Sequence, residues 1–425
     1  MNNNMRKRNY VLAERFDSRI LGKGVTFKND SRQNGGLNSN VLIIGGSGSG
    51  KTGSYIYSNL KMLNNQSAVV CDTKGLLYSA FKNELEKKGY NVSAINLVKP
   101  ERSTCGWNPL DYLYDDNGSV SQREIVRFSQ SLIPNTYKEN EPVWCEGAQG
   151  IWQFITAYCL EALPKEDHTI GTLISLYHTL IKPLGLNTFY DYISENPESF
   201  CANKFAEIQA NSKAEKMFAS YTGFINNMCN SLALPELKPI FENDETLDIR
   251  EIGKSKQVVF ITVPDTDHSL DSVCNLFYSQ VIQQLILEAD SNTDGCLKIP
   301  TTIYMDDAGN YNIPSLDMVI SISRSRQLGI SLLIQSCNQL YSSYGKDNAT
   351  TIIDNMDSIV YMGGNNVDTA EFIGLKANKT ISNIVNMPRD KVYVLVSGRS
   401  AILADKIPPY SFDLDDEADS GYLNL

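Results

Sequence analysis

A short apolar run that passes straight into a glycine-rich loop ending in Lys-Thr narrows the folds open to this chain. Residues 41–44 are Val-Leu-Ile-Ile, and residues 45–52 are Gly45-Gly46-Ser47-Gly48-Ser49-Gly50-Lys51-Thr52. An unbroken run of β-formers predicts a strand buried on both faces, as in a parallel α/β sheet. The loop fits G-x-x-x-x-G-K-[ST]. Gly45, Gly48 and Gly50 permit the tight path that turns backbone N–H groups inward on a polyphosphate. Lys51 brings positive charge to the β- and γ-phosphates and Thr52 a hydroxyl for Mg2+. The helix that starts there adds its positive dipole end. The strand before the loop and the amphipathic stretch 55–63 after it supply a context that a bare glycine-rich turn lacks.

A chain of 425 residues exceeds one compact core, so two domains are expected. Hydrophobic residues at 42% and charged residues at 20% place it among globular proteins. No run is apolar and long enough to span a bilayer and there is no signal peptide, which predicts a cytoplasmic protein or one held at a membrane by a partner. The nine cysteines form no Cys-x-x-Cys pair, and Cys71, Cys159, Cys274 and Cys337 lie among apolar residues. Buried thiols in a reducing compartment are expected rather than disulfides or a zinc site. His168, His178 and His268 are the only histidines, and none has a metal-like neighbour, so a histidine-based catalytic centre is not expected. A net charge of −11 argues against a broadly basic nucleic-acid surface, but not against a narrow basic channel built by an oligomer. Residues 413–419, Asp-Leu-Asp-Asp-Glu-Ala-Asp, read either as a solvated, disordered end or as a docking tail for a basic partner.

Along the chain, residues 1–37 form a polar, flexible lead-in with a basic patch, Arg6-Lys7-Arg8, and one short strand near 25–27. Residues 68–71 predict a second buried strand ending in Asp72-Thr73-Lys74-Gly75. A charged residue at a strand's C-terminal end sits where α/β sheets bind ligands, and Asp72 or Thr73 equally suits a helix N-cap. A helix over 76–88, closed by Gly89, and a strand over 92–97 follow. Between 121 and 241 apolar residues recur at helical spacing, as in Ile151, Phe154, Ile155, Tyr158 and Cys159. Prolines 134, 164, 183, 197 and 235 cut this region into several helices, which predicts an all-α domain inserted into the sheet domain.

Strand character returns at 257–264 and again at 300–307, Pro-Thr-Thr-Ile-Tyr-Met-Asp-Asp. An apolar strand ending in two carboxylates is what a P-loop ATPase needs beside its phosphate loop. Asp306 then serves Mg2+ and Asp307 polarises the attacking water. Residues 316–326 predict a helix carrying Arg324 and Arg326, and 330–334 a strand ending in Gln335-Ser336. Gln335 is placed to sense the γ-phosphate. Arg326 reads either as a finger reaching a neighbouring subunit's nucleotide or as a surface arginine. Residues 358–362 and 392–396 complete the strands. The fold predicted is α/β: a RecA-like P-loop domain over 38–120 and 242–410, an all-α domain over 121–241 and an acidic tail over 411–425.

Several of these stretches together resemble one family, the type IV secretion coupling proteins, which are conjugative DNA-transfer ATPases of the TraG/TraD type within the FtsK/HerA group. The resemblance spans roughly residues 38–406 and rests on the phosphate loop, Asp72-x-Lys74-Gly75, Trp107-Asn108-Pro109-Leu110 and Val143-Trp144-x-Glu146-x-Ala148. It continues through Val259-Phe260-x-x-x-Pro264-Asp265, Asp306-Asp307-x-x-Asn310-x-x-x-Pro314 and Arg324-x-Arg326-x-x-Gly329. Its most specific run is Gln335-Ser336-x-x-Gln339-Leu340-x-x-x-Tyr344-Gly345. The resemblance implies a homo-hexameric ring in which ATP and Mg2+ drive single-stranded DNA, with its attached relaxase, toward a membrane channel. It implies phosphate and metal roles for Lys51, Thr52 and Asp306, a catalytic base at Asp307, a sensor at Gln335 and a finger at Arg326. The chain departs from the pattern twice. Family members usually begin with transmembrane helices and this sequence shows none, which is expected of a soluble member, of a piece of a longer protein, or of a protein recruited to the inner face of the membrane by a partner. They also carry Asp-Glu where this chain has Asp306-Asp307, which implies slow hydrolysis. The alternative is a substrate-docking adaptor that binds ATP and hydrolyses little. A P-loop kinase is disfavoured by the long helical insert between Lys51 and Asp306.

Overall fold

The computed structural model describes residues 18–29, 34–134, 142–211, 214–264, 268–412 and 423–424. Its centre is a nine-stranded sheet, and the order of strands explains where the chemistry gathers. The strands are β3 (Val41–Ile44), β4 (Ser67–Cys71), β5 (Asn91–Asn96), β6 (Gln257–Thr262), β7 (Thr301–Met305), β8 (Leu328–Ile334), β9 (Ser358–Tyr361), β10 (Lys391–Val396) and β11 (Ile402–Asp405), in the spatial order β11-β10-β9-β3-β8-β7-β4-β6-β5. From β9 to β5 all pairs are parallel, and β10 and β11 add an antiparallel edge.

The apolar runs behave as their composition requires. Along β3, Val41 and Ile43 enter the core on one face and Leu42 and Ile44 the core on the other, and all four are fully buried. Along β4, Ala68 and Val70 face one side while Val69 and Cys71 face the other. Period-2 alternation with both faces covered favours apolar residues throughout, so these strands read as nearly continuous hydrophobic runs. On the first face lie the helix that follows the loop at 45–52 and the helix Leu76–Lys87; on the second lies the long helix Asp271–Ser291.

Residues 122–241 form a set of helices that leaves the sheet after β5 and returns to β6, its immediate neighbour. The insertion therefore separates two adjacent strands in sequence without parting them in space. Helix Pro142–Ala162 is its hub, packed against Gln122–Leu132, Ile170–Leu180, Phe200–Asn211 and Glu215–Leu232. Trp107 fastens the neck. Its ring is fully buried, edge-on to Phe277 at 5.2 Å, and its Nε1 donates to Gln280 Oε1 at 3.0 Å. Gln280 in turn donates to Pro109 O at 2.8 Å, and Trp107 N–H to Ile240 O at 2.8 Å. The Trp-Asn-Pro-Leu run is thus a joint between the helical region and the sheet's long helix.

Part of the lead-in is not loose. Residues 18–28 form a hairpin of β1 (Ser18–Gly22) and β2 (Val25–Lys28), joined by β12 (Leu423–Asn424). The single strand expected near 25–27 is β2; its partner β1 carries an arginine that masks it in the sequence. Arg19 is buried and donates to Ser39 O and to Thr302 Oγ1, the latter at 2.8 Å. Asn59 completes the β1 edge, its Oδ1 accepting from Ile20 N–H and its Nδ2 donating to Ile20 O, both at 3.0 Å. The Arg6-Lys7-Arg8 patch and the acidic run 413–419 lie outside the described residues. Cys71, Cys159, Cys274 and Cys337 are buried, and burial pushes the Cys71 and Cys159 thiols up to about 12. Among the described residues no helix is long and apolar enough to cross a membrane.

Candidate active site at the end of the parallel strands

The C-terminal ends of β3, β8 and β7 stand side by side, and each delivers one part of the site. From β3 the chain runs directly into the loop. Gly45 N–H donates to Ile334 O at 3.0 Å, which stitches the loop's first residue to the end of β8. Gly46 N–H donates to Gly363 O at 2.9 Å on the opposite flank, beyond β9. Gly48 and Gly50 have φ of 71° and 89°, a left-handed conformation that other residues enter at a cost. They let the loop double back on itself, with Ser49 N–H bonded to Gly46 O at 3.1 Å. Lys51–Ile56 then winds as a π-helical segment and continues as the α-helix Tyr57–Met62. Wide turns of this kind recur at functional sites. Four uncommitted N–H groups and a positive dipole end at such a start suit an anion.

Lys51 is buried and its Nζ donates to Gly45 O at 2.8 Å, so the ammonium lies within the loop's own curl. Thr52 Oγ1 donates to Asp306 Oδ2. That bond joins residues 254 apart in sequence and brings the loop against the end of β7. Asp306 is 4% exposed, and burial, the largest influence on it, raises its pKa. The Thr52 bond and the Lys51 charge pull the pKa down, while the neighbouring Asp307 charge pushes it up. A carboxylate so buried needs a positive partner to stay ionised. The Thr52 hydroxyl and Asp306 oxygens are hard donors of the kind Mg2+ takes, and with Lys51 they fit a magnesium–polyphosphate group.

Asp307 follows at φ 48°, in the left-handed region, and its N–H donates to Asp306 Oδ1 at 3.1 Å. The turn carries the second carboxylate off the strand axis, half-exposed, while the first stays inside. Gln335 is exposed at the end of β8, between the loop and Asp306. Its backbone is set by Gln339, whose Oε1 accepts Gln335 N–H at 2.7 Å. Gln339 also fills the space over Gly309, where a Cβ would lie 2.5 Å from its own. Tyr344 OH accepts Ile313 N–H at 3.2 Å. The run 335–345 is therefore a latch that holds the ends of β7 and β8 together, and Gln339 and Tyr344 position rather than react.

Arg326 is not with this group. It lies just before β8 begins, at the opposite end from Gln335, with an ion pair to Asp290 at 2.9 Å. Asp72 serves the helix start rather than the loop: from three residues before the N-cap Gly75 it accepts from Leu76 and Tyr78 N–H at 3.0 and 2.9 Å, and burial raises its pKa against those bonds. One group escaped the sequence reading altogether. The segment after β11 passes beside the loop, where Lys406 Nζ donates to Ser49 O at 3.1 Å and to Met362 O at 3.2 Å. The only signal for it in the sequence was the Pro408-Pro409 pair, which marks a turn without saying what the turn covers.

Comparison with known proteins agrees with this geometry. Residues 2–383 match the family described as "Type IV secretory system Conjugative DNA transfer". Among solved structures, the bacterial conjugative coupling protein TrwBdeltaN70, in a trigonal form in complex with sulphate, has a TM-score of 0.67 at 18% identity. The match covers 87% of this chain and 85% of that one. The plasmid coupling protein TrwB in complex with ADP and Mg2+ has a TM-score of 0.67 at 19% identity, over 89% and 88% of the two chains. VirB4 of Thermoanaerobacter pseudethanolicus has a TM-score of 0.54 at 16% identity, over 93% and 98%. At these identities the likeness shows a shared fold, the RecA-like P-loop fold with a helical region. A comparison with curated proteins returned no match.

Proposed function

Because the chain belongs to the type IV secretory system conjugative DNA-transfer family, we propose that it is an ATP-hydrolysing coupling protein. On this reading it recruits single-stranded DNA with its attached relaxase and drives it toward a secretion channel. The observation that carries the reading is the Thr52–Asp306 hydrogen bond beside the buried Lys51 ammonium. It joins a phosphate loop and a strand-end acid from opposite ends of the sequence.

The roles follow from the chemistry of each group. Residues 45–52 hold the polyphosphate through backbone N–H groups and the helix dipole. Lys51 swings from Gly45 O to the β- and γ-phosphates, an exchange of one oxygen partner for a more negative one. Thr52 and Asp306 would hold Mg2+, which when bound would neutralise phosphate charge. Asp307 accepts a proton from the attacking water, and Gln335 orients that water or the γ-phosphate. Arg326 serves the nucleotide of the next subunit in a homo-hexamer, which suits its distance from its own loop. The helical domain at 121–241 meets cargo, and a membrane-bound component of the secretion system holds the ring at the cytoplasmic face. An ATP-binding docking adaptor is the second reading, favoured by the short carboxylate of Asp307.

Steady-state ATP hydrolysis by the full chain, with and without single-stranded DNA, separates the two. A motor shows turnover that DNA stimulates several-fold. Tight ATP binding with no turnover under either condition refutes the motor and leaves the adaptor.

A further inference from the structure

The strand-to-tail segment 406–412 lies across the phosphate loop as a strap. Ile407 and Phe412 are buried with Ile20 and Met62, which anchors it at two points. The segment is tied to the loop and its helix three times. Lys406 Nζ donates to Ser49 O, Pro409 lies 3.0 Å from where a Cβ on Gly50 would stand, and Tyr410 N–H donates to Gly53 O at 3.0 Å.

Gly53 makes this approach possible. A Cβ there would stand 2.8 Å from both Pro409 Cβ and the Tyr410 ring, too close for either to stay. Glycine weakens a helix, so its presence in the second position after Lys51 is explained by the strap rather than by the helix. Tyr410 itself has φ of 59°, a strained value for a residue with a Cβ, and half of its surface is exposed. Strain and exposure of a large aromatic beside a binding loop are not what a simple anchor needs; Phe412, two residues on, anchors without either. One edge of the ring is fixed by Tyr57, whose ring it meets at 78° with centroids 5.6 Å apart. Burial raises the Tyr410 pKa, and the charges of Asp306 and Asp72 raise it further, so the hydroxyl feels both strand-end acids.

The direction in which a nucleotide lies on the loop decides what the ring meets. Lys51, Thr52 and Asp306 mark the β- and γ-phosphate end. The α-phosphate, and after it the nucleoside, therefore leaves past the next helical residue, which is Gly53. Resting on the reading of this loop as a nucleotide site, we propose that Tyr410 is the stacking platform for the nucleotide's base, held in place by the Pro408-Pro409 turn and Tyr57. A phenol ring stacks on any base, so the contact gives affinity for nucleoside triphosphates over bare polyphosphate rather than choice among bases.

Calorimetric titration of the full chain with Mg2+ and either ATP or inorganic tripolyphosphate tests this. Both ligands engage the loop, but only ATP carries a base. Tyr410→Ala weakens ATP binding by about tenfold and leaves tripolyphosphate binding as in the wild type. Tyr410→Phe, which keeps the ring, restores wild-type ATP affinity. If Tyr410→Ala weakens both ligands alike, the strap only supports the loop and the proposal is wrong; it is equally wrong if ATP affinity does not change. Retained tripolyphosphate binding also reports that the variant's loop is folded. A wild type that binds neither ligand refutes the phosphate-loop reading itself, an outcome distinct from failure at Tyr410.

Discussion

Asp307 concentrates the chemistry of this chain into one methylene. A general base must come within about 2.6–3.2 Å of the water proton it takes. An aspartate reaches about 1.5 Å less far than the glutamate that the coupling-protein pattern carries at this position. A misplacement on the order of 1 Å can cost about 100-fold in rate. The left-handed turn at φ 48° suits Asp and Asn better than Glu, so this backbone and this side chain go together. We expect slow hydrolysis with tight ATP binding through Lys51, Thr52 and Asp306. Asp307→Asn fits the same turn and should abolish single-turnover hydrolysis while binding ATP as before; Asp307→Glu should match or exceed the wild-type rate. Hydrolysis by Asp307→Asn at the wild-type rate would remove Asp307 from the mechanism. At this scale the gathering of the loop residues and the two aspartates was legible in the sequence, since their spacing is the one a phosphate site would impose. Gln339, Lys406 and Tyr410 were not. The Lys406–Ser49 bond joins residues 357 apart, and no local pattern encodes such a meeting.

Strand β8 is the element that ties the account together. It separates the loop strand β3 from the acid strand β7, so Gln335 at its end stands between phosphate loop and acids. Its seven residues also place Arg326 roughly 20 Å away at the other end, beyond reach of the same nucleotide. In the proposed ring, one strand would thereby carry a sensor for its own site and a finger for a neighbour's. Arg326→Ala should bind ATP normally and hydrolyse at least tenfold more slowly. Mixing it with Lys51→Ala should restore part of the activity, because each variant then supplies what the other lacks. An Arg326→Ala protein as fast as wild type, or two inactive variants that stay inactive when mixed, would rule out action in trans. The buried strands were readable because period-2 burial on both faces favours apolar residues, with the few buried Ser and Thr, such as Thr302 and Ser331, at hydrogen-bonded positions. The β1–β2 hairpin was half-read. Arg19 and Asn59 satisfy it from side chains, and a strand stabilised that way carries no hydrophobic alternation. Trp107 belongs to a run that carries the family resemblance, and the structure gives it a packing role.

For the whole molecule, the helical insert and the sheet share one continuous apolar core, joined through Trp107 and the helix Asp271–Ser291. Because the insert leaves and re-enters at adjacent strands, it can be large without disturbing the site at the other strand ends. That arrangement suits a protein whose helices meet cargo while its sheet handles nucleotide. The class of fold was legible from the return of strand character after residue 256; how the helices pack was not, since amphipathic spacing shows that a face is buried but not against what. The proposed cleavage of ATP at this loop depends on the Lys51 charge. Single-turnover hydrolysis of Mg-ATP by the wild type and by Lys51→Ala, with folding checked by circular dichroism, tests it most directly. The account predicts measurable cleavage by the wild type and none by a folded Lys51→Ala, whereas equal rates from the two proteins would contradict it.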